Sequence, residues 1–520
     1  MDITLLCLLL AVQLCSLSTC NGAKILYLPF PLYSHVKLGQ WLTDDLHKYG
    51  HELWTAYPKY LKSLGVLQDK KYNLIQLEKL GDEDVGETLR KVNEKSLTNK
   101  TILEKFLHTV ESIIQPVHEQ LREINFKIMK DDEFLQVVKR QHFDLVLVGG
   151  TMRGMELHLI PYHLGIPFCF LSTDIDPWRS GLPVNPSHTP ITGSEFTDRM
   201  DFFQRVQNTL MYMSLIFDKD LFFGDDRDNF KGPDGNAVTP GSVMSEAKLW
   251  LIQHDVLLDY PRPSMPNVKY IGDLSLRKAQ PLARQFKQFY NRSTNGVVVV
   301  SFGSFVNLEQ PLVQKLFTGL LKTPYSYVIR LNVTSPDKHK FLTSSWIPQN
   351  DLLANPQTKL FITNIDASDQ NEAVANGVPM VGIQIHTDQY YNANRLQRKG
   401  YGIFVDFLEI TPEEIADKIK YVIETPSYKG NVSRAANILN DRPWTPGQEA
   451  AYWIDHVIKY GDAHFRSEGM KLPWYKFLCL DVFIFVSLII VLLLKGVMLL
   501  VRLSLPGFFR KKQVVKPKKE

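Results

Sequence analysis

A histidine follows the first predicted strand of this chain. Residues 24–30 (KILYLPF) form an apolar run of strand length, and His35 lies in the loop that opens the helix predicted over 36–49. Ligands of parallel sheets bind at the carboxyl ends of strands, so this imidazole is expected to face a cleft. A histidine pKa lies near working pH, which suits a general base that takes a hydroxyl proton. A lone histidine is also commonly structural, and the residue type alone leaves both interpretations open.

Two carboxylates stand in the turn after the strand predicted over 359–363. Asp366 and Asp369 lie where a helix is expected to begin, and there they are predicted to cap it. A helix start is otherwise a natural site for a phosphate. Like charges about 4 Å apart cost ~4 kcal/mol at an effective dielectric of about 20, so these carboxylates are expected to repel one. The turn therefore favours a helix without a bound anion.

Apolar runs of strand length alternate with helical periodicity through the body of the chain. Gly50 ends the first helix, residues 152–163 are predicted to be helical, and Thr411-Pro-Glu-Glu414 is a capping box with proline at the first helical position. Alternating strands and helices predict parallel sheets, and the pattern restarts after Pro281. The fold class is therefore α/β, with two doubly wound (Rossmann-like) parallel-sheet domains joined near 276–291. Further strands are predicted at 53–57, 143–150, 166–173, 296–303, 325–331, 377–383 and 402–407.

The net positive charge of the chain comes from its C-terminal tail. The 520 residues are 44% hydrophobic and 22% charged, with a net charge of +4, which is typical of a globular protein with more than one domain. Residues 502–520 carry seven basic residues and Glu520, or +6, so the remainder has a net charge of −2. No basic face is left for nucleic acid.

Both ends of the sequence indicate a membrane. Residues 1–22 resemble a signal peptide, although a basic start is missing. Residues 477–501 are apolar enough for a transmembrane helix of about 37 Å, against a bilayer core of about 30 Å; a buried hairpin helix is the alternative. The basic tail 502–520 is then cytosolic and the bulk of the protein luminal, as in a single-pass type I protein. The ending K-P-K-K-E fits a dilysine signal for the endoplasmic reticulum membrane.

Cysteines and sequons agree with a luminal body without an intrachain disulfide. Apart from the two terminal segments, the chain has one cysteine, Cys169. Four Asn-X-Ser/Thr tripeptides are candidate glycosylation sites: Asn99, Asn291, Asn332 and Asn431.

The whole chain resembles the membrane-bound UDP-glycosyltransferases, the family that includes the UDP-glucuronosyltransferases. The resemblance is carried by Ser34-His35, 197–210 (TDRMDFFQRVQNTL), 259–273 (DYPRPSMPNVKYIGD), 299–306 (VVSFGSFV), 346–353 (WIPQNDLL), 377–383 (GVPMVGI), Asp388-Gln389 and 451–464 (AYWIDHVIKYGDAH). It implies a GT-B fold, with an acceptor-binding domain at 23–285 and a nucleotide-sugar-binding domain at 286–470. The implied reaction is inverting transfer of a sugar from UDP to a small lipophilic acceptor, with UDP-sugar as co-substrate and no metal or other cofactor.

The resemblance also assigns roles to individual residues. His35 would be the base. Trp346 would stack on uracil with Gln349 hydrogen-bonding beside it, and Glu372 would accept from ribose hydroxyls. The full donor-binding set is Ser304 near the phosphates, Trp346, Gln349, Asn364, Ser368, Glu372, and Asp388 with Gln389 on the sugar hydroxyls.

Two parts of the family pattern are altered. Gly149 stands where the family has the aspartate that orients the base, and Asp144 lies roughly 16 Å away along the same strand. Asp174 and Asp176, after the next strand, are the candidate replacements. The family's F-x-x-H-G-G-x-N-S phosphate turn is altered: Asn364, Ile365, Asp366 and Ser368 replace the histidine, both glycines and the asparagine.

Two functions are compatible with this combination of retained and altered family residues. The first is a UDP-dependent transferase of the hexosyl or glucuronosyl type. Gln253 replaces an arginine of glucuronosyl members and favours a neutral hexose. The second is a catalytically impaired member that binds lipophiles or forms homo- or hetero-oligomers with active relatives. We expect weak UDP-sugar affinity in either case.

Overall fold

The chain folds around two parallel sheets. The computed structural model describes residues 22–63, 72–80, 123–150, 156–173, 175–192, 194–221, 235–236, 238–303, 308, 310–384, 389–407 and 409–504.

The first sheet has seven strands in the order β3-β2-β1-β4-β5-β6-β7, and every pairing in it is parallel. Successive residues of β1 enter different cores: Leu26 and Leu28 pack on one face, and Ile25 and Tyr27 on the other. Both faces are therefore buried, as in α/β proteins. The strands are β1 (Lys24–Leu28), β2 (Glu52–Pro58), β3 (Asn73–Leu77), β4 (Leu145–Gly149), β5 (Phe168–Ser172), β6 (Trp250–Ile252) and β7 (Val268–Tyr270).

The second sheet has six parallel strands in the order β10-β9-β8-β11-β12-β13. Its all-valine centre, residues 297–300, alternates between two cores and is inaccessible to solvent. The strands are β8 (Val297–Ser301), β9 (Ser326–Arg330), β10 (Phe341–Ser344), β11 (Thr358–Thr363), β12 (Met380–Gln384) and β13 (Gly402–Asp406).

Each sheet has one switch point, where the strand order reverses. In the first sheet it lies between β1 and β4, and in the second between β8 and β11. Ligands of doubly wound sheets bind at the carboxyl edge of such a switch point. The two switch points are therefore the places to look for a site.

Helices cover both faces of the sheets. The capping box Thr411–Glu414 is present as predicted, and the side chains of both residues bond to each other's backbone N–H. Among the described residues up to 466, the α-helices are α1 (Tyr33–His47), α2 (Tyr60–Ser63), α3 (Asp132–Gln141), α4 (Leu159–His163), α5 (Phe202–Leu221), α6 (Pro240–Met244), α7 (Arg284–Arg292), α8 (Gln310–Leu321), α9 (Gln349–Leu353), α10 (Ala367–Ala375), α11 (Gln389–Lys399), α12 (Pro412–Glu424), α13 (Pro426–Asn440) and α14 (Pro446–Tyr460).

The last of these helices returns to the first sheet. Ala450, Ala451 and Ile454 of α14 share a core with β1 and α1. Asp455 anchors the contact, because its carboxylate lies 3.1 Å from Nε2 of buried His51. The sequence places residues up to 470 in the second domain, whereas this helix packs on the first sheet. Its amphipathic pattern does not reveal which sheet it covers.

A separate unit, residues 467–520, contains the apolar helix near the end of the chain. A short helix, α15 (Trp474–Phe477), precedes α16 (Leu480–Ser504). Cys479 has φ +54° at the break between them, so α16 begins later than the run predicted over 477–501. By length and mean hydropathy of 2.9, α16 is a candidate membrane span.

The predicted strands are present, with ends shifted by a few residues. Four further strands, β3, β6, β7 and β10, were not predicted, because they are short or carry polar residues at several positions. Residues 152–155 of the helix predicted over 152–163 lie outside the described part of the chain, and α4 covers its end. The signal peptide and the tail from 505 also lie outside it.

Candidate active site

His35 lies at the carboxyl edge of the first sheet, in the first turn of α1. The backbone extends from β1 into this turn, which places the residue beside the β1–β4 switch point. It lies past the carboxyl end of β1, as the sequence predicts, but inside the helix rather than in the loop before it. Its ring contacts Phe30 with centroids 5.5 Å apart. Burial lowers the pKa of His35 to about 4. The imidazole is therefore neutral at physiological pH and able to accept a proton.

Gly149 ends β4 on the other side of the same switch point. A Cβ at this position would lie 2.8 Å from Pro29 Cα, 3.0 Å from Tyr27 Oη and 3.2 Å from the Leu28 carbonyl oxygen. Two of these atoms are backbone, so they cannot rotate away. Position 149 therefore has no room for a side chain.

The carboxylates considered as replacements have other partners. Asp144 lies at the opposite end of β4, where it accepts a 2.8 Å hydrogen bond from the Lys24 backbone N–H. Asp176 is buried and accepts from the backbone N–H groups of Trp178 and Arg179, both at 3.0 Å. Asp174 lies outside the described residues. Among the described residues, no hydrogen bond to the His35 ring is present.

At the second switch point, the turn after β11 is filled by its own side chains. The Asn364 amide donates a 2.8 Å hydrogen bond to Asp366 Oδ2. The same carboxylate oxygen would lie 3.2 Å from a Cβ at Gly303, which follows β8. An acidic group therefore occupies the crevice between β8 and β11, where an anion would otherwise approach the sheet.

The predicted capping role of Asp366 and Asp369 is wrong. Asp366 occupies the N-cap position of α10, but its side chain makes no capping hydrogen bond within the described residues. Its carboxylate accepts from Asn364 instead, and buried Asp369 accepts from the Thr363 hydroxyl. The short polar side chains at the end of β11 compete with the helix for these carboxylates.

Ile365 has a left-handed backbone conformation, with φ +60°. This conformation costs a β-branched residue on the order of 1–2 kcal/mol, whereas glycine adopts it freely. Its fully buried side chain offsets the cost by packing against β12, where a Cβ at Gly382 would lie 2.8 Å from Ile365 Cγ2. The turn thus keeps a glycine-like backbone without a glycine, and its N–H at Ile365 donates to the Thr363 hydroxyl at 3.1 Å.

Gln349 joins two carboxylates beside this turn. Its side-chain nitrogen donates to Asp369 Oδ1 at 2.8 Å and to Glu372 Oε2 at 2.9 Å. Burial and the neighbouring Asp369 raise the pKa of Glu372 to about 8, although Gln349 opposes the shift. Burial also raises the pKa of Asp369. Glu372 is therefore mostly uncharged at neutral pH.

The other residues predicted to bind the sugar donor differ in their exposure. Trp346 precedes α9 and exposes 63% of its surface, which leaves its ring open to a ligand. Ser368 is exposed in the first turn of α10, and Asn364 is buried. Ser304 and Asp388 lie outside the described residues. Gln389 begins α11, and its side chain is not described.

Sequence reasoning missed two residues at these edges. Arg330 ends β9 and is partly buried; burial lowers its pKa, while the charges of Asp369 and Tyr33 oppose that shift. Tyr27 lies beneath His35, with its hydroxyl 3.2 Å from the His35 carbonyl oxygen. Arg330 could have been identified from the sequence, because an arginine at the end of a buried strand is a recognisable signal. The contact of Tyr27 with His35 is a packing contact that no sequence pattern reveals.

The sequons occupy different settings. Asn291 and Asn332 are exposed. Asn431 is exposed on α13, but its amide donates to the Gly400 carbonyl at 3.2 Å. Asn99 lies outside the described residues. Within the described residues, no group of three His, Cys, Asp or Glu side chains is placed to hold a metal ion.

Comparison with known proteins identifies the family to which the chain belongs. The family model described as "UDP-glucoronosyl and UDP-glucosyl transferase" matches residues 23–515. UDP-glucuronosyltransferase 1-2 from Mus musculus is 29% identical over 499 residues, covering 92% of this chain and 91% of the relative. UDP-glucuronosyltransferase 2B19 from Macaca fascicularis is 30% identical over 494 residues, covering 91% and 92%.

Solved structures share the architecture. The crystal structure of Os79 from O. sativa in complex with UDP has a TM-score of 0.55 at 14% identity, covering 84% of this chain and 100% of that one. The glycotransferase of kitacinnamycin has a TM-score of 0.54 at 14% identity, covering 84% and 99%. The chain has the GT-B fold and belongs to the UDP-glucoronosyl and UDP-glucosyl transferase family.

Proposed function

We propose that this chain is an inverting UDP-sugar-dependent transferase that conjugates small lipophilic acceptors and holds its donor weakly. The proposal rests on one observation: each sheet has candidate functional residues at its switch point. His35 lies at that of the first sheet, and the Gln349–Asp369–Glu372 cluster lies beside that of the second. A base and a donor-binding set are the two parts that sugar transfer needs.

The reaction places a distinct demand on each edge. Neutral His35 takes the proton of the acceptor hydroxyl as its oxygen attacks the anomeric carbon. The bond from that carbon to the UDP oxygen breaks on the opposite face, so the configuration inverts, and UDP leaves with the bonding electrons. Arg330 supplies positive charge on the donor side, where negative charge develops on the diphosphate.

Weak donor affinity follows from the acidic turn. Asp366 lies against Gly303 at the β8–β11 switch point. A carboxylate about 4 Å from a diphosphate oxygen costs ~4 kcal/mol at an effective dielectric of about 20. Because about 1.4 kcal/mol is tenfold in affinity, the expected loss is about a thousandfold.

The sugar is proposed to be a neutral hexose. Gln253 is buried immediately after β6, at the carboxyl edge of the first sheet, and its backbone N–H bonds to Ser172. An uncharged amide at this position provides no ion pair for a glucuronate carboxylate. UDP-glucose should therefore bind at least as well as UDP-glucuronate.

The proposed location is the endoplasmic reticulum membrane, with the bulk of the chain luminal. The support is the candidate span α16, the basic residues from 502 and the dilysine-like end. Protease protection in sealed microsomes tests the orientation: the body should survive digestion and the tail should be removed.

The second candidate is a family fold without turnover that binds lipophiles or assembles with active relatives. The closed position at Gly149 favours it, because no carboxylate among the described residues then bonds to the His35 ring. In a serine-protease triad, disabling the equivalent aspartate costs about 10⁴-fold.

One assay separates the two functions. The full-length protein in lipid nanodiscs is incubated with UDP-glucose and a set of hydrophobic phenols, and glycosides are detected by mass spectrometry. The enzyme proposal predicts slow formation that is abolished in His35→Ala. Absence of product at donor concentrations of tens of millimolar, with acceptor binding retained, favours the second function.

A further inference from the structure

The first switch point is filled by the side chain of Tyr27. This ring is fully buried in the core beneath α1. A Cβ at Gly39 on α1 would lie 2.7 Å from its Cδ1, and a Cβ at Gly149 on β4 would lie 3.0 Å from its Oη. Two glycines on facing elements thus provide the space in which the phenol sits.

The Tyr27 hydroxyl contacts the turn that carries His35. It donates a hydrogen bond of 3.2 Å to the His35 carbonyl oxygen. Burial raises the pKa of Tyr27, so the hydroxyl keeps its proton and remains a donor. Leu32, which precedes this helix, provides no side-chain cap, so the hydroxyl is a polar tether on the turn.

The same hydroxyl excludes a carboxylate from the crevice. The Gly149 Cβ position and the His35 carbonyl oxygen both lie within 3.2 Å of Tyr27 Oη. Pro29 Cα and the Leu28 carbonyl oxygen close the other sides of that position. The phenol and the missing side chain are therefore alternative occupants of one space.

We propose that Tyr27 is the positioning residue of His35 in this chain, holding the catalytic turn through its backbone carbonyl where a carboxylate would otherwise hold the imidazole. This role rests on the proposed function of His35 as base. The hydrogen bond from Tyr27 fixes the position of the imidazole ring without adding a negative charge beside it. Within the described residues, the base is thus positioned without a carboxylate bonded to its ring.

The test measures the reactivity of His35 itself. Full-length protein in nanodiscs is treated with diethyl pyrocarbonate at pH 7, and carbethoxylation of each histidine is followed by peptide mass spectrometry. Tyr27→Phe removes the hydroxyl and keeps the ring. Tyr290→Phe is the matched control, because it removes another buried hydroxyl, which bonds Thr358 at 2.9 Å in the second domain. Exposed His188 is the internal reference.

We expect Tyr27→Phe to raise the rate at His35 at least threefold, with His188 unchanged and with no change in Tyr290→Phe. An unchanged rate at His35 would overturn the proposal. So would equal acceleration at His188, because that would indicate general loosening of the fold. Where turnover is measurable, kcat should fall in Tyr27→Phe with KM unchanged.

Because carbethoxylation needs neither donor nor turnover, failure of sugar transfer would defeat the proposed function and leave this test intact.

Discussion

Asn364 donates a 2.8 Å hydrogen bond to Asp366 at the switch point of the second sheet. The amide fixes the carboxylate in the crevice beside Gly303, where a diphosphate of a bound nucleotide is expected to approach. An acidic group therefore lies where the diphosphate is expected, and this contact is the basis of the weak donor affinity that we propose.

Neutralising Asp366 should strengthen nucleotide binding. Asp366→Asn keeps the shape of the side chain and removes the repulsion, so the Kd for UDP measured by calorimetry should fall between tenfold and about a thousandfold. Asp441→Asn, an exposed change at the end of α13, is the charge-matched control and should leave the Kd unchanged. Equal or weaker binding in Asp366→Asn would show that its carboxylate does not face the diphosphate.

Donor affinity should decline as the pH rises through 8. Burial and Asp369 raise the pKa of Glu372 to about 8, so this side chain is neutral below that pH and adds a negative charge above it. The Kd for UDP should therefore increase several-fold between pH 6.5 and pH 9. In Glu372→Gln the dependence should flatten, whatever the absolute affinity. A pH dependence that persists in the variant would assign it to another group.

Sugar transfer should show no acidic limb near pH 6.5. Burial lowers the pKa of His35 to about 4, and a base works only when deprotonated, so kcat/KM should stay level from pH 8 down to about pH 5.5. Because donor binding also depends on pH, the Kd for UDP is measured over the same range and kcat/KM is corrected for its change. A half-maximal value at pH 6.5 would mean that the imidazole is solvated.

Ile365 and Gly382 should be strongly coupled in stability. Ile365→Gly relieves the left-handed strain but opens a cavity, at a cost of roughly 2–4 kcal/mol. Gly382→Ala alone places a Cβ 2.8 Å from Ile365 Cγ2 and should destabilise the fold, whereas with Ile365→Gly it fills part of the cavity. A double-mutant cycle from chemical denaturation should give a coupling of about 1–3 kcal/mol, and additive effects would refute the packing.

The family pattern can be rebuilt on this backbone. Asn364→His, Ile365→Gly and Asp366→Gly together should raise UDP affinity, because residue 365 already has the positive φ that a glycine turn uses. The same variant should have a lower Tm than wild type, since the Ile365 packing is lost. A lower affinity would mean that the backbone N–H groups of the turn are aimed away from the ligand.

The sequence predicts the strands of this protein better than its site. Buried parallel strands such as 297–300 are continuous apolar runs, and such runs predict the central strands of both sheets. Strands as short as Trp250–Ile252 carry too few residues for a pattern. The position of His35 follows from strand order. The pairing of Tyr27 with Gly149 does not, because it depends on how closely β1 and β4 approach in space.

Local sequence rules also do not predict the hydrogen-bond partners of Asp366 and Asp369. A carboxylate at a helix start usually caps it, but here the carboxylates of Asp369 and Asp366 accept from the side chains of Thr363 and Asn364. Similarly, the link from Gln349 to Asp369 and Glu372 joins residues 20 and 23 positions apart. Such contacts depend on the packing of α9 against α10 rather than on sequence spacing.

The most direct measurement is a calorimetric titration of the unmodified full-length protein with UDP at pH 7 and physiological salt. The acidic turn predicts a Kd in the millimolar range or weaker. A Kd in the micromolar range would show that the diphosphate is accommodated beside Asp366, and would contradict the account.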